Sequence, residues 1–247
     1  MITMKSKRRS IFFTLILITL TGTMAYAQHN TLTEEEKADG WMLLFDGEST
    51  EHWRGYNMDE FPDRGWHVED GALVYRPPQT DTWSSALDII TREKFSDFMF
   101  KIEWMIEEAG NSGIFYHVLE QPTQAIYWSG LEMQILDNIN HPDADQGIAG
   151  NRKAGSLYDL IPADPQNTRP HNQWNSVTIV SDGPRVEHWQ NGEKILEYER
   201  WTPEWFEMIR NSKFNGHPEF GAMREGHLGL QDHGDVVKFR NIKIKEL

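Results

Sequence analysis

The sequence predicts an all-β fold, an antiparallel sandwich with one short helix. Three observations carry that prediction. Apolar residues alternate with period two rather than 3.6, short apolar runs are joined by tight-turn dipeptides, and the strand–helix alternation of a parallel α/β sheet is absent.

The elements follow in order. Residues 28–37 are polar and read as a tether before the domain, with Thr33 and Glu36 spaced as a helix capping box. Trp66–Tyr75 is a hairpin turning at Asp70-Gly71. Phe98, Phe100, Ile102, Trp104 and Ile106 share one face of a strand whose other face carries Lys101, Glu103 and Glu107. Asn111–His117 places Gly113, Phe115 and His117 on a common face. In Leu131–Asp137, Glu132 and Gln134 point one way while Met133 and Ile135 point into the core. Asp137 has the wrong parity to join Glu132, unless a bulge or strand end re-aims it. Asn175–Glu199 makes three strands turning at Asp182-Gly183 and Asn191-Gly192. Pro203–Ile209 is the helix, with Thr202 as N-cap and Pro203 in the first turn. In Gly226–Gly234, Leu228 and Leu230 go inward, while Gly229, Gln231 and His233 go outward. Gly229 leaves room for something to lie against the sheet. The last strand changes parity between Phe239 and Ile242, which predicts a bulge at Arg240-Asn241.

Composition narrows the chemistry. The 247 residues include no cysteine, which removes disulfides, thiolate metal sites and cysteine nucleophiles. The net charge of −14 argues against a nucleic-acid partner. Twelve Phe, ten Trp and seven Tyr exclude a disordered chain. Residues 1–27 read as a secretory signal: Lys5, Lys7, Arg8 and Arg9, an uncharged apolar run from Ile11 to Leu20, then Ala25-Tyr26-Ala27 as cleavage site. The run is short for a membrane span. Cleavage would remove four positive charges and no acids, taking the net charge from −14 to −18. The expectation is one exported domain over residues 38–247, periplasmic or secreted, without a membrane partner after signal removal.

Three strands that each bring Glu, Gln or His beside a glycine point to a cleft on one sheet face, against the plainer reading of a solvated strand face. The loop Asn138–Asn172 is long for a compact domain, and its run Arg152–Asp159 carries two cations, Arg152 and Lys153, and an acid, Asp159, that could stabilise a developing oxyanion, against the plainer reading of surface charges on a loop. Trp104 and Trp174 sit where core residues belong, whereas Trp128 sits where it could meet a ligand. Asp137, Asn138, Asp143 and Asp145 offer oxygens to calcium, without the spacing of an EF-hand.

Together these segments resemble one family. Leu43-Leu44-Phe45-Asp46-Gly47, Trp66 with Val68-x-Asp70-Gly71, and Asn111-Ser112-Gly113-Ile114-Phe115 come first. They are followed by Glu132-Met133-Gln134-Ile135-Leu136-Asp137, Gly155-Ser156-Leu157-Tyr158-Asp159 and Gly229-Leu230-Gln231-x-His233-Gly234. The order is similar to that of the 3-keto-disaccharide hydrolase domain, over about residues 38–247. The resemblance implies a concanavalin A-like, laminarinase-like jelly roll acting on carbohydrates already oxidised at C3. A 3-ketone acidifies the C2 proton, so a base can remove it, the C1 substituent can leave, and water can add to the enone. Such a site needs a base, an enolate stabiliser and a proton source. On this reading Glu132 is the base and His233 or His117 the acid or enolate partner. Gln134, Gln231, Arg152, Tyr158 and Asp159 hold hydroxyls. A divalent metal ion as enolate stabiliser stays open, with no ligands assigned. Two alternatives are a conventional glycosidase working through the Glu132 and Asp137 carboxylates, and a carbohydrate-binding module without catalysis.

Overall fold

The structure, a computed structural model, describes residues 29–78 and 87–247; the expected signal segment lies outside them. Along the described chain run α1 (Glu34–Ala38), β1 (Met42–Leu43), β2 (Trp53–Gly55), β3 (Trp66–Glu69), β4 (Ala72–Tyr75), β5 (Ile89–Thr91), β6 (Phe98–Ile106) and β7 (Asn111–Val118). Then come β8 (Leu131–Leu136), β9 (Asn175–Asp182), β10 (Arg185–Gln190), β11 (Glu193–Glu199), α2 (Pro203–Arg210), β12 (His227–Leu230) and β13 (Val237–Glu246). Every strand pair is antiparallel. The larger sheet has the order β11-β10-β9-β6-β13-β4-β3, with β1 also on β13, and the smaller has the order β2-β5-β12-β7-β8. This is the predicted all-β jelly-roll sandwich.

The turns form where their residues demand it. Asp70-Gly71, Gly183 and Asn191-Gly192 all take the positive φ of tight hairpins, and they join β3–β4, β9–β10 and β10–β11. Asn241 also has positive φ, and the β13–β6 register shifts between Arg240 and Lys243, so the predicted bulge is present. Thr202 caps α2 by accepting the Trp205 N–H at 3.1 Å.

The two sheets bury their inner faces on each other. The β6 residues Phe98, Phe100, Ile102, Trp104 and Ile106 join Ile114, Met133 and Ile135 of the smaller sheet in one apolar cluster. Each large side chain removed from water there stabilises the fold by about 1.5–3 kcal/mol. Trp104 is in this core, but Trp174 is half-buried with the Arg240 guanidinium 4.0 Å over its ring. The outer faces differ. Along β9 and β13 burial alternates, whereas β7, β8 and β12 are buried at every residue. Loops therefore cover the outer face of the smaller sheet, and a cleft has to be sought there.

The stretch expected to be a tether is stitched to the body from Asn30 onward. Asn30 N–H donates to Asn241 Oδ1 at 2.7 Å, and the Asn241 N–H returns a bond to Asn30 Oδ1 at 2.8 Å. Lys243 pairs with Glu36, and Lys245 with Asp39. The polarity that suggested a tether instead complements the basic outer face of β13. Among the described residues no helix is long and apolar enough to cross a membrane.

Candidate active site

Strand register assembles the site. On β8 and β7, Glu132 lies opposite Phe115 and Gln134 opposite Gly113. The chain continues past β12 in register, so that Gln231 N–H donates to the Gly113 carbonyl at 3.0 Å. Gly113 is thus a gap in a row of side chains between Gln134 and Gln231. Glu132 leans over that gap: a Cβ on Gly113 would lie 2.2 Å from Glu132 Oε1. Only glycine lets the carboxyl rest there.

One end of this sheet face is closed by the chain itself. Ile126, from a 3-10 turn over Ile126–Trp128, packs with Tyr56, Ile90, Phe115 and Val118. A Cβ on Gly229 would meet Ile126 Cδ1 at 2.8 Å. The room that Gly229 leaves is filled by Ile126 rather than by a ligand. The polar part of this face is confined to the Glu132–Gly113–Gln231 end.

Glu132 is 7% exposed, and burial pushes its carboxyl up to about 8. The charges of Asp88 and Asp143 push the same way, and that of Lys213 opposes them. With its nitrogen turned toward Glu132, the Gln134 amide donates to Oε1 at 3.2 Å and to the Ser112 carbonyl at 3.1 Å. The buried Gln231 Oε1 has no hydrogen-bond partner among the described residues.

The rim comes from residues 155–158, which add an edge to β8. Gly155 N–H donates to the Gln134 carbonyl at 2.8 Å, Gln134 N–H to the Ser156 carbonyl at 3.0 Å, and Tyr158 N–H to the Glu132 carbonyl at 3.0 Å. The long loop is therefore not undecorated: its segment 155–158 is an extra strand edge that carries Tyr158 to Glu132. The Tyr158 hydroxyl donates to Asp143 Oδ2 at 3.0 Å. Arg152 bonds Asp143 Oδ1 at 2.8 Å and Asp159 Oδ1 at 2.6 Å. Lys213 Nζ lies 3.9 Å from Asp159 Oδ2 and 4.1 Å over the Tyr158 ring. The result is an alternating chain of charge, Asp143–Arg152–Asp159–Lys213, wrapped around one tyrosine.

The structure thus brings together Glu132, Gln134, Gln231, Arg152, Tyr158 and Asp159. His233 lies beside the cluster, next to His141. Its ring is 6.4 Å from that of His141, whose Nδ1 accepts the N–H of Asp143 at 3.1 Å. Burial lowers the pKa of His233. Trp128 stands on the aromatic wall, stacked 3.7 Å from His217 and edge-on to Phe214.

Two expected members are elsewhere. His117 has φ of 53°, and two residues of β7, Tyr116 and His117, oppose the single Leu228 of β12. This bulge reverses strand parity. His117 therefore points between the sheets, fully buried, with Nε2 2.8 Å from Ser181 Oγ of β9. Asp137, just past β8, accepts Ala109 N–H at 2.9 Å, Ile139 N–H at 3.1 Å and Asn140 Nδ2 at 2.7 Å, with His171 Nδ1 at 3.2 Å. It closes a turn and is not paired with Glu132.

The calcium reading fares no better. Asp137 and Asp143 are spent on protein donors, Asn138 Oδ1 takes Ala154 N–H at 2.8 Å, and Asp145 is exposed. Among the described residues no three His, Asp or Glu side chains converge as a metal site.

Sequence reading missed Asp88 and Lys213. Asp88 is buried, accepts the Asp232 N–H at 3.0 Å, and is pushed up to about 8 by that burial. Its signal was parity: β5 pairs Ile90 with Gly229, so Asp88 shares the outward face. Lys213 had no signal, because a turn after a helix obeys no periodicity.

Residues 40–245 match the 3-keto-alpha-glucoside-1,2-lyase-like domain family. The chain is 37% identical to a 3-keto-disaccharide hydrolase of Bacteroides thetaiotaomicron, over 94% of this chain and 87% of that one. The chain belongs to this family. Among solved structures, a candidate glycosyl hydrolase of Parabacteroides distasonis is 35% identical, with a TM-score of 0.80 over 89% of this chain and 99% of its own. A second from the same organism is 27% identical, with a TM-score of 0.58 over 84% of each. This member of the 3-keto-alpha-glucoside-1,2-lyase-like domain family is a hydrolase, and its family segment spans every residue of the Glu132 cluster.

Proposed function

We propose that the exported domain cleaves 3-keto-glycosides by elimination followed by hydration. The observation that carries this reading is the Glu132 carboxyl, buried over Gly113, raised to about 8 and without an ion pair among the described residues. A carboxylate of raised proton affinity is the stronger base for a C–H acid. Kinship to a 3-keto-disaccharide hydrolase supports the substrate class, and the basic, apolar and small-residue order of residues 1–27 supports export to the periplasm or beyond.

The steps balance. Glu132 takes the C2 proton, and the C–H electron pair moves toward the C3 oxygen as an enolate. The enolate re-forms the ketone as the C1–O bond breaks, leaving a C1=C2 enone. The departing oxygen takes a proton from the Tyr158 and His233 rim. Water then adds its hydroxyl to C1 and gives its proton back to the rim, while Glu132 returns its proton to C2, which restores both groups and makes the sum a hydrolysis. Gln134, Gln231 and Asp88 line the floor on which sugar hydroxyls would be held. A conventional glycosidase needs a second free carboxylate, and Asp137 is committed to its turn.

The test compares a 3-keto-glycoside with its parent glycoside on the purified protein. Release of the aglycone from the keto compound alone is the expected result. Equal release from the parent, or binding of both without release, overturns the proposal.

A further inference from the structure

Lys213 is placed as no ordinary surface lysine. It follows α2, whose end is closed by Ser212 Oγ donating to the Ile209 carbonyl at 2.8 Å, and it precedes Phe214, which is buried and stacked 3.8 Å on Phe220. Both neighbours are thus fixed, and the lysine side chain is led from a rigid turn across the Tyr158 ring. Its side chain is 37% exposed, so a molecule entering from solvent can reach the ammonium.

Its partners leave it with capacity. Asp159 already accepts from Arg152 at 2.6 Å through the other oxygen, and at 3.9 Å its contact with Lys213 is an ion pair without a hydrogen bond. Arg152, by contrast, is already hydrogen-bonded through Nε to Asp159 and through Nη1 to Asp143 and Gln146. Of the two cations on the rim, Arg152 is tied down by short ion pairs, whereas the lysine makes no hydrogen bond among the described residues and keeps its donors for a ligand. Lys213 is also the one positive charge that acts strongly on Glu132, and the two make no direct ion pair. A carboxyl and an ammonium that act on each other without pairing can each serve a different atom of one bound molecule.

We infer that Lys213 is the electrophile of the site, donating to the C3 oxygen as Glu132 removes the C2 proton. The inference rests on the keto-glycoside reading and deepens it. The negative charge made at C2 ends on O3, where an ammonium in a partly dehydrated cleft stabilises it most. The lysine proton remains shared with O3 until the C1–O bond breaks and the ketone returns, so no proton is consumed. An unoxidised glycoside has a C3 hydroxyl that never acquires this charge. Lys213 therefore also selects the oxidised sugar, through the transition state rather than through ground-state affinity.

The experiment follows C2 hydrogen–deuterium exchange of a 3-keto-glucoside in D2O by NMR, beside aglycone release, in the full-length mature protein and in K213M and K213R. In K213M both rates are expected to fall about 100- to 1,000-fold with KM changed less than about threefold, while K213R recovers part of the exchange. Melting curves confirm that each variant is folded. If K213M does not fold, K213Q and K213R carry the comparison. Wild-type exchange that survives in K213M at full rate overturns the role of Lys213 alone. Loss of release with exchange intact also overturns it, because the lysine would then serve the leaving group. A wild type that neither exchanges nor releases overturns the keto-glycoside reading itself.

Discussion

Two clusters of buried polar groups sit on the two sides of the smaller sheet, and they are built on opposite rules. On its inner side the Tyr116 hydroxyl meets His188 Nε2 at 2.8 Å and the Tyr198 hydroxyl at 2.7 Å, while His188 Nδ1 meets the Gly155 carbonyl at 2.9 Å. Tyr116, His188 and Tyr198 are thus satisfied by one another and by the backbone. On its outer side Glu132 is just as buried, yet its carboxyl meets only a side-chain amide, and Gln231 Oε1 meets nothing among the described residues. Burial alone therefore does not mark function. What separates these two sets is whether the protein itself completes their hydrogen bonds, since an incomplete buried network costs stability that a ligand's polar groups can restore.

The largest expected effect breaks that comparison at its centre. Glu132→Gln should lower kcat on a 3-keto-glycoside by about 1,000-fold, the scale of a lost general base. The same change should raise stability. Glu132 is lifted from the usual carboxylate range to about 8, so it favours the folded state below its unfolded pKa of 4.5 and opposes it as pH rises through 8. The gain in E132Q should be absent near pH 4.5 and reach about 1–2 kcal/mol by pH 8. Thermal melts at both pH values check this. A variant destabilised at pH 8 would show that the carboxyl is a structural partner after all.

Gly113→Ala is next. Its methyl would displace the Glu132 carboxyl without demanding a forbidden φ, so kcat should drop about 100-fold with little loss of stability. Unchanged kcat would mean that the position of Glu132 over Gly113 is irrelevant.

The legible part of this molecule was periodic. Phe98 to Ile106 alternate without exception, and the Asp-Gly and Asn-Gly turns dictate their own geometry, so the larger sheet follows from the sequence. Glu132, Gln134 and Gln231 were found by the same alternation. His117 was misplaced because one bulge residue reverses parity, and nothing in Tyr116-His117-Val118 announces it. Asp137 was ambiguous because it lies just past the strand, where a short carboxylate caps a turn instead of following the pleat. Lys213 and Asp143 come from connections, where position depends on packing partners hundreds of atoms away rather than on neighbours in the chain.

That misplacement offers a sharper contrast between two histidines. His233→Ala should lower kcat about 100-fold and leave the melting temperature within a few degrees. His117→Asn should do the reverse: it removes the ring from Ser181 Oγ and Phe98, costing about 1–3 kcal/mol, with kcat of the folded fraction unchanged. Activity lost in H117N while the protein stays folded would return His117 to the catalytic list.

The smallest effect tests the satisfied cluster through pH. Burial holds His188 at about 4, well below its ordinary 6.5, so the fold accepts it only when neutral. Its contribution is complete above pH 6.5 and is lost as pH falls toward 4, because in that window the unfolded chain binds the extra proton. The slope amounts to about 1.4 kcal/mol per pH unit for one proton, or roughly 3 kcal/mol across the window. His188→Gln should flatten the acid limb of stability by that slope. Tyr116→Phe keeps the imidazole, so it should lower stability by about 1 kcal/mol at every pH and leave the slope intact. Denaturant melts from pH 7 to 4.5 separate the two variants. If instead both variants showed the wild-type slope, acid sensitivity would arise outside this cluster, and the completeness of its hydrogen bonds would no longer explain why His188 is structural while Glu132 is chemical.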